Sequence, residues 1–204
     1  MDTELVRKAA AGDSDAFEQL VLSYEKPIYN LCLRMCGNAE DAMDLTQETF
    51  LKAWRSLGSF RADAAFSTWL YRLCSNLCID HLRREQKRKV LPLHVEDNDG
   101  DERPLDVPDP AAGPEERLSA QEDRQQVADA LQSLEPEYRE ALTLRVLHDL
   151  SYADIAAVLQ VREGTVKSRI ARAREKMREA MQKLGNKSTS PSSKLTRHER
   201  RDAP

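Results

Sequence analysis

Residues 151–181 carry two helical patterns separated by a tight turn, and this segment restricts the possible folds more than any other. The first helix should begin at Ser151, which has the spacing of a capping box with Asp154, and should run through Leu159. Gln160 then stands where many such turns carry glycine. The segment therefore predicts a helix-turn-helix.

The second helix of this segment should begin near Glu163 and has two different sides. At 100° per residue, Val166, Ile170 and Ala173 form a narrow apolar stripe that faces inward. The opposite side is short-chained, polar and cationic, as required of a helix that enters the major groove and reaches base edges and phosphates. We expect the DNA contacts of this helix to come from Thr165, Lys167, Ser168, Arg169, Ala171 and Arg172.

Proline and acidic residues are concentrated in the middle of the chain. Residues 91–120 hold 9 acidic against 2 basic residues, which is the composition of a linker. Elsewhere helical periodicity dominates, and 7 glycines in 204 residues favour a helical class. We predict an all-α fold with two small helical domains, at 1–90 and 118–185, joined by an acidic flexible linker at 91–117 and followed by a disordered basic tail at 186–204.

At the start of the chain, residues 4–22 should form a helix pair broken at 12–14, where Asp13 or Ser14 could cap the second helix. An apolar run from 29 to 35 follows, and Gly37 stops it.

A long helix should open at Ser67 or Thr68 and run through Arg88, after a loop at residues 60–66 that is rich in aromatic and small residues. Aromatic side chains beside Arg and Asn suit stacking on unpaired bases. The same rings could instead belong to the core, and for Phe60 and Tyr71 the two interpretations are even. The candidate DNA contacts here are Phe60, Arg61, Asp63, Phe66, Trp69, Arg72, Asn76, Asp80 and Arg83.

The helix predicted from Ala39 to Leu57 carries an acidic side formed by Asp41, Asp44, Gln47 and Glu48. Such a side is either a solvated face or a docking face for a basic partner. Periodicity alone favours the solvated face.

The four cysteines fall into two pairs spaced i,i+4, Cys32 with Cys36 and Cys74 with Cys78. Facing pairs could bind zinc or form a redox switch. Cys32 and Cys74 lie on apolar stripes, however, so we expect core packing and no metal.

The sequence lacks the motifs of an enzyme, because it shows no glycine-rich phosphate loop, no nucleophile elbow and no clustered ligands. We expect no catalytic residue, no cofactor and no small-molecule substrate. No run approaches the ~20 apolar residues of a membrane span, and no signal peptide is visible, so we expect a cytoplasmic protein.

Two sets of motifs resemble one family. Residues 44–50 (Asp-Leu-Thr-Gln-Glu-Thr-Phe), 60–63 (Phe-Arg-Ala-Asp) and 66–72 (Phe-Ser-Thr-Trp-Leu-Tyr-Arg) resemble the second conserved region of the extracytoplasmic-function (ECF) sigma factors. Residues 150–156 and 164–169 resemble the fourth region. The likeness covers about 5–90 and 118–183 in the family's order. Ala62 stands where the family more often has glycine.

This resemblance implies a dissociable initiation subunit of bacterial RNA polymerase that directs promoter-specific transcription. It implies that Asp41, Asp44, Gln47 and Glu48 dock on the β′ clamp helices, which reverses the solvated interpretation. The loop at 60–66 would capture a flipped base of the −10 element, while Asn76, Asp80 and Arg83 read that element. The helix around Ser168 and Arg172 would read the −35 element. The β flap and an anti-sigma factor are further implied partners.

Two other classes remain open from the residues themselves. One is a stand-alone helix-turn-helix regulator with an N-terminal sensor domain, which would bind a palindrome as a dimer. The other is a thiol or zinc sensor built on the four cysteines.

Overall fold

The computed structural model describes residues 2–60, 65–90 and 114–188, which are helical throughout apart from turns. The predicted all-α class is confirmed, and none of the described helices is long and apolar enough to cross a membrane. The helices in chain order are α1 (Asp2–Ala10), α2 (Ser14–Cys36), α3 (Ala39–Ser56), α4 (Phe66–Val90), α5 (Pro114–Gln132), α6 (Pro136–Val146), α7 (Tyr152–Leu159) and α8 (Glu163–Ser188).

Helix α2 differs from the expectation, because it is one helix of 23 residues that contains Pro27. A proline inside a helix costs about 3 kcal/mol. Leu20 and Ile28, on either side of the proline, are both fully buried. Their burial outweighs the lost hydrogen bond, so tertiary packing overrides local propensity here. Asp13, one of the two candidate cap residues, caps the helix with its side chain.

Helices α2, α3 and α4 pack together around an aliphatic core. Leu31, Ala42 and Leu70, one from each helix, are fully buried. Truncating a buried leucine in such a core typically costs about 2–5 kcal/mol. This core fixes the outward faces of α3 and α4, on which the candidate contacts lie.

The predicted helix-turn-helix is confirmed in α7 and α8. The Ser151 hydroxyl accepts the Asp154 backbone N–H at 3.1 Å and so caps α7. Gln160 ends α7 in the left-handed conformation, with φ of 54°. The stripe of Val166, Ile170 and Ala173 is buried against the rest of the molecule.

The two halves of the chain pack against each other and share one apolar core. Helix α4 lies on α7, and α2 lies on α5 and α6. Leu144, Ile155 and Val166 from the second half belong to the same buried cluster as Leu70 from the first. Helix α5 begins at Pro114, inside the predicted linker, and α8 extends to Ser188, inside the predicted tail. The remainder of the predicted linker and tail lies outside the described residues.

Candidate nucleic-acid interface

The outward side of α8 presents the short polar surface that the sequence predicted. Ser168, Ala171 and Arg172 are exposed, and Thr165 is half-buried. The Ser168 hydroxyl donates to the Thr165 carbonyl at 2.9 Å, which keeps it close to the helix. The side chains of Ser168 and Ala171 are short, so a base edge can approach the helix backbone at these two positions.

Two of the predicted phosphate-binding cations of α8 already have acidic partners. Lys167 pairs with Glu163 on its own helix, and Arg169 pairs with Glu137 of α6, both at 2.8 Å. Exposed ion pairs contribute little to stability, so Lys167 can exchange its partner for a phosphate. Arg169 is only 22% exposed and joins α8 to α6, and it thus has a structural contact as well.

The candidate contacts of α4 lie along its outward side. Asn76, Asp80 and Arg83 are exposed, whereas Arg72 is half-buried. The Arg83 guanidinium lies 3.7 Å from the Asp80 carboxylate. This side carries hydrogen-bond donors and acceptors over two helical turns, and it faces away from α2 and α7.

An aromatic cluster occupies the start of α4. Phe60 lies 5.1 Å from Trp69 and 6.0 Å from Phe66, measured between ring centroids. Phe60 and Trp69 are half-buried, but Phe66 is only 6% exposed and also contacts Tyr24. The cluster can thus offer two rings to a ligand while Phe66 supports them from beneath. Arg61 and Asp63, which were predicted to act with them, lie outside the described residues.

Tyr71 is buried and therefore belongs to the core, which was one of the two interpretations that the sequence left open. It is 7% exposed, and its ring lies against His148 from the second half. No sequence pattern indicates this contact, because the two residues lie 77 positions apart.

The predicted docking side of α3 is mostly free of neighbouring side chains. Asp44, Gln47 and Glu48 are exposed. Asp41 is half-buried and lies 3.2 Å from Nε2 of His81 on α4, so it also joins two helices.

An apolar groove of about 480 Å³ borders this acidic side. Phe17, Val21, Leu51 and Trp54 line it, and Leu51 is 56% exposed. Sequence reasoning missed this groove. An exposed apolar residue could have marked it, but helical periodicity alone does not separate exposed from buried leucines.

Buried polar groups occupy the contact between the two halves, and the sequence patterns did not reveal them. The Arg139 guanidinium on α6 donates to the carbonyls of Leu131, Leu134 and Met35, the last across the contact with α2. Gln132 donates to the Arg34 carbonyl at 2.9 Å. These donors satisfy carbonyls that the ends of α2 and α5 leave unpaired.

Glu140 lies in the same contact, near Ser75 of α4. Burial raises the pKa of this carboxyl to about 7, against the smaller opposing effects of the Ser75 hydroxyl and the Arg169 guanidinium. Burial also lowers the pKa of His148. The contact therefore contains two titratable groups whose pKa values burial shifts in opposite directions.

Two family models match the two halves of the chain. Residues 20–88 match the model of Sigma-70 region 2, and residues 124–177 match that of Sigma-70, region 4. The chain is 42% identical over 187 residues to the RNA polymerase sigma-H factor of Pseudomonas aeruginosa, which covers 90% of this chain and 95% of that one. It is 34% identical over 179 residues to the ECF RNA polymerase sigma factor SigW of Bacillus subtilis, covering 88% and 96% of the two chains.

A solved structure of similar fold is that of the sigma factor RpoE from Bartonella quintana in complex with the anti-sigma factor NepR. It has 25% sequence identity and a TM-score of 0.62, and the match covers 81% of this chain and 96% of that one.

Proposed function

The chain belongs to the ECF group of RNA polymerase sigma factors, and from this membership we propose how its helices divide the work of promoter recognition. Sigma factors direct transcription initiation and are not themselves enzymes. We place the domains at 1–90 and 118–185, with phosphodiester chemistry left to the polymerase core. Such a protein acts in the cytoplasm, where its polymerase is.

Helix α8 reads the −35 element through Ser168, Ala171 and Arg172. The observation that carries this assignment is the exposed, short-chained face on the second helix of a helix-turn-helix. Lys167 and Arg169 would bind the flanking phosphates, where they fix the register of the helix on the duplex. Thr165 completes the face.

Helix α4 and the aromatic cluster act on the −10 element. Phe60 and Trp69 would stack on unpaired bases, which favours the melted over the paired strand. Asn76, Asp80, Arg72 and Arg83 would bind base edges and phosphates next to them. Phe66 supports the two exposed rings, and Arg61 and Asp63 are proposed to complete the loop.

The acidic side of α3 docks on the polymerase. Asp41, Asp44, Gln47 and Glu48 would meet basic residues of the β′ clamp helices, and the second half would contact the β flap. The neighbouring groove offers apolar area that is removed from water on docking, and charge pairing sets the orientation. An anti-sigma factor is a further proposed partner, since the similar RpoE structure contains one.

The two halves of the chain must separate before they can contact both promoter elements. The −10 and −35 elements lie about 25 base pairs apart, or about 85 Å at 3.4 Å per pair. A compact chain of this length has a radius of gyration of roughly 17 Å and cannot reach both elements at once. We propose that polymerase binding separates α4 from α7.

Reconstituted run-off transcription with core polymerase tests the proposal. Adding the chain should give promoter-specific transcripts, and Arg172→Ala should lower their amount about 10- to 100-fold without changing the affinity for core. Arg178→Ala, an exposed arginine further along α8, is the matched control and should have little effect. Failure to bind core, or dimeric binding to a palindrome by the free chain, would favour the stand-alone regulator instead.

A further inference from the structure

Three buried thiols from α2 and α4 converge at one point in the core. The Cys32 sulfur lies 3.3 Å from that of Cys74 and 3.8 Å from that of Cys78, and all three sulfurs lie within 4.8 Å of one another. All three residues are fully buried, as expected of core cysteines. The sequence could not show that the two i,i+4 pairs face each other.

A fourth thiol lies at the edge of this group. Cys36 follows Cys32 by one turn of α2 and is half-buried, and its side chain lies near Cys78. It stands outside the group of three sulfurs that lie within 4.8 Å of one another, so it would have to shift toward them to act as a fourth ligand.

The spacing of the sulfurs matches a tetrahedral metal site. A Zn–S bond of about 2.3 Å places tetrahedral ligands about 3.8 Å apart. The observed separations of 3.3 and 3.8 Å lie within a small side-chain adjustment of that value. Soft thiolate ligands in this arrangement favour zinc over oxygen-preferring cations such as Mg²⁺.

The surroundings of the thiols are suited to negative charge. The buried Thr46 and Thr49 side chains of α3 lie next to the sulfurs of Cys32 and Cys74, and their hydroxyls donate to the carbonyls of Ala42 and Leu45 at 2.6 Å. The Arg139 guanidinium acts electrostatically on Cys36. Polar side chains and a nearby cation around the ligand atoms are typical of the outer shell of a metal site.

We propose that Cys32, Cys36, Cys74 and Cys78 bind one Zn²⁺ as four thiolates and thereby fasten α2 to α4. Each ligating thiol releases its proton to solvent, and no electron is transferred. The ion would lie behind the outward side of α4, because Cys74 and Cys78 are buried whereas Asn76 between them is exposed. Zinc would thus hold the proposed −10 surface in place without touching DNA.

The full-length chain, purified with a reductant and stripped with a chelator, tests this site. Titration with Zn²⁺ should saturate at about one ion per chain and raise the melting temperature, and a chelator should reverse the rise. Co²⁺ in place of Zn²⁺ should give the visible and near-ultraviolet absorption of tetrahedral thiolate coordination. A melting temperature that is the same with zinc and with chelator, together with no cobalt–thiolate absorption, would overturn the proposal.

Variants at Cys36 separate metal binding from packing, because this residue is half-buried and its replacement should leave the fold intact. Cys36→Ser should weaken zinc binding more than about 100-fold, beyond the usual effect of an outer-shell change. Cys36→His supplies a new ligand and should restore much of the affinity. Zinc affinity that is equal in the wild type and Cys36→Ser would overturn the four-ligand site.

Discussion

The Tyr71 hydroxyl lies 3.1 Å from Nδ1 of His148, and this hydrogen bond joins α4 to the turn after α6. The two rings also contact each other, with centroids 4.8 Å apart. Both residues lie in the contact between the halves of the chain. Their hydrogen bond is therefore one of the interactions that must break if polymerase binding separates α4 from α7.

Tyr71→Phe should weaken this contact while keeping the ring in place. The change leaves Nδ1 of the half-buried His148 without its hydrogen-bond partner, so we expect the free energy of unfolding to fall by about 0.5–1.5 kcal/mol. Urea denaturation measures this loss. Tyr29→Phe, at a half-buried tyrosine of α2, is the control and should lower stability less.

The same variant should bind core polymerase more tightly than the wild type. If the chain must open before docking, a weaker contact raises the fraction of the open form and so the apparent affinity. Unchanged or weaker core binding by a folded Tyr71→Phe protein would contradict the proposed opening.

Glu140 predicts a pH dependence of stability with a definite sign. Burial raises its pKa from the ordinary 4.5 to about 7 in the folded chain, so the folded state holds the proton more tightly. Its contribution to stability is therefore complete below about pH 4.5 and is lost as pH rises through about 7. A shift of this size corresponds to about 3 kcal/mol.

Glu140→Gln should remove that part of the pH dependence. The variant should lose less stability than the wild type between pH 5 and 7.5, measured as the difference between their unfolding free energies. The difference between variant and wild type is needed because His148 acts in the opposite direction: burial lowers its pKa, so its contribution to stability grows as pH rises. Parallel stability curves for the two proteins would show that Glu140 titrates normally.

Gln160→Gly should stabilise the turn of the helix-turn-helix. Gln160 has φ of 54°, a conformation that costs a residue with a Cβ roughly 1–2 kcal/mol and glycine almost nothing. Part of the gain is offset by the greater freedom of glycine in the unfolded chain, so we expect a rise in melting temperature of about 2–4 °C. Gln160→Ala keeps the Cβ and should show no such rise. A lower melting temperature for Gln160→Gly would mean that the glutamine side chain stabilises the turn.

Features set by neighbouring residues could be predicted from the sequence, and features set by distant contacts could not. The stripe of Val166, Ile170 and Ala173 follows from helical periodicity, and the cap at Asp13 follows from residue type. The continuity of α2 through Pro27 depends on packing that no local rule contains. The hydrogen bond from Arg139 to Met35 joins residues 104 positions apart, and the sequence offers no pattern that pairs them.

Trp69→Ala should impair promoter opening more than polymerase binding. Trp69 is half-buried and lies 5.1 Å from Phe60 and 5.7 Å from Phe66, so its loss removes one of the two partly exposed rings of the cluster. Stacking of an aromatic ring on an unpaired base is worth about 1–3 kcal/mol, so we expect open-complex formation to fall about 5- to 150-fold. Permanganate reactivity of unpaired thymines measures the opening, and a core-binding assay is run in parallel.

Phe66→Leu provides the matched comparison within the same cluster, because Phe66 is 6% exposed and cannot reach a base as it stands. This variant should lower the free energy of unfolding through imperfect packing, and it should reduce opening only as far as it loosens the rings above it. Trp69→Ala should instead lower the free energy of unfolding only slightly and reduce promoter opening strongly. Equal losses of core binding and opening in Trp69→Ala would show that the tryptophan is only a packing residue, and the proposed stacking surface would then reduce to Phe60.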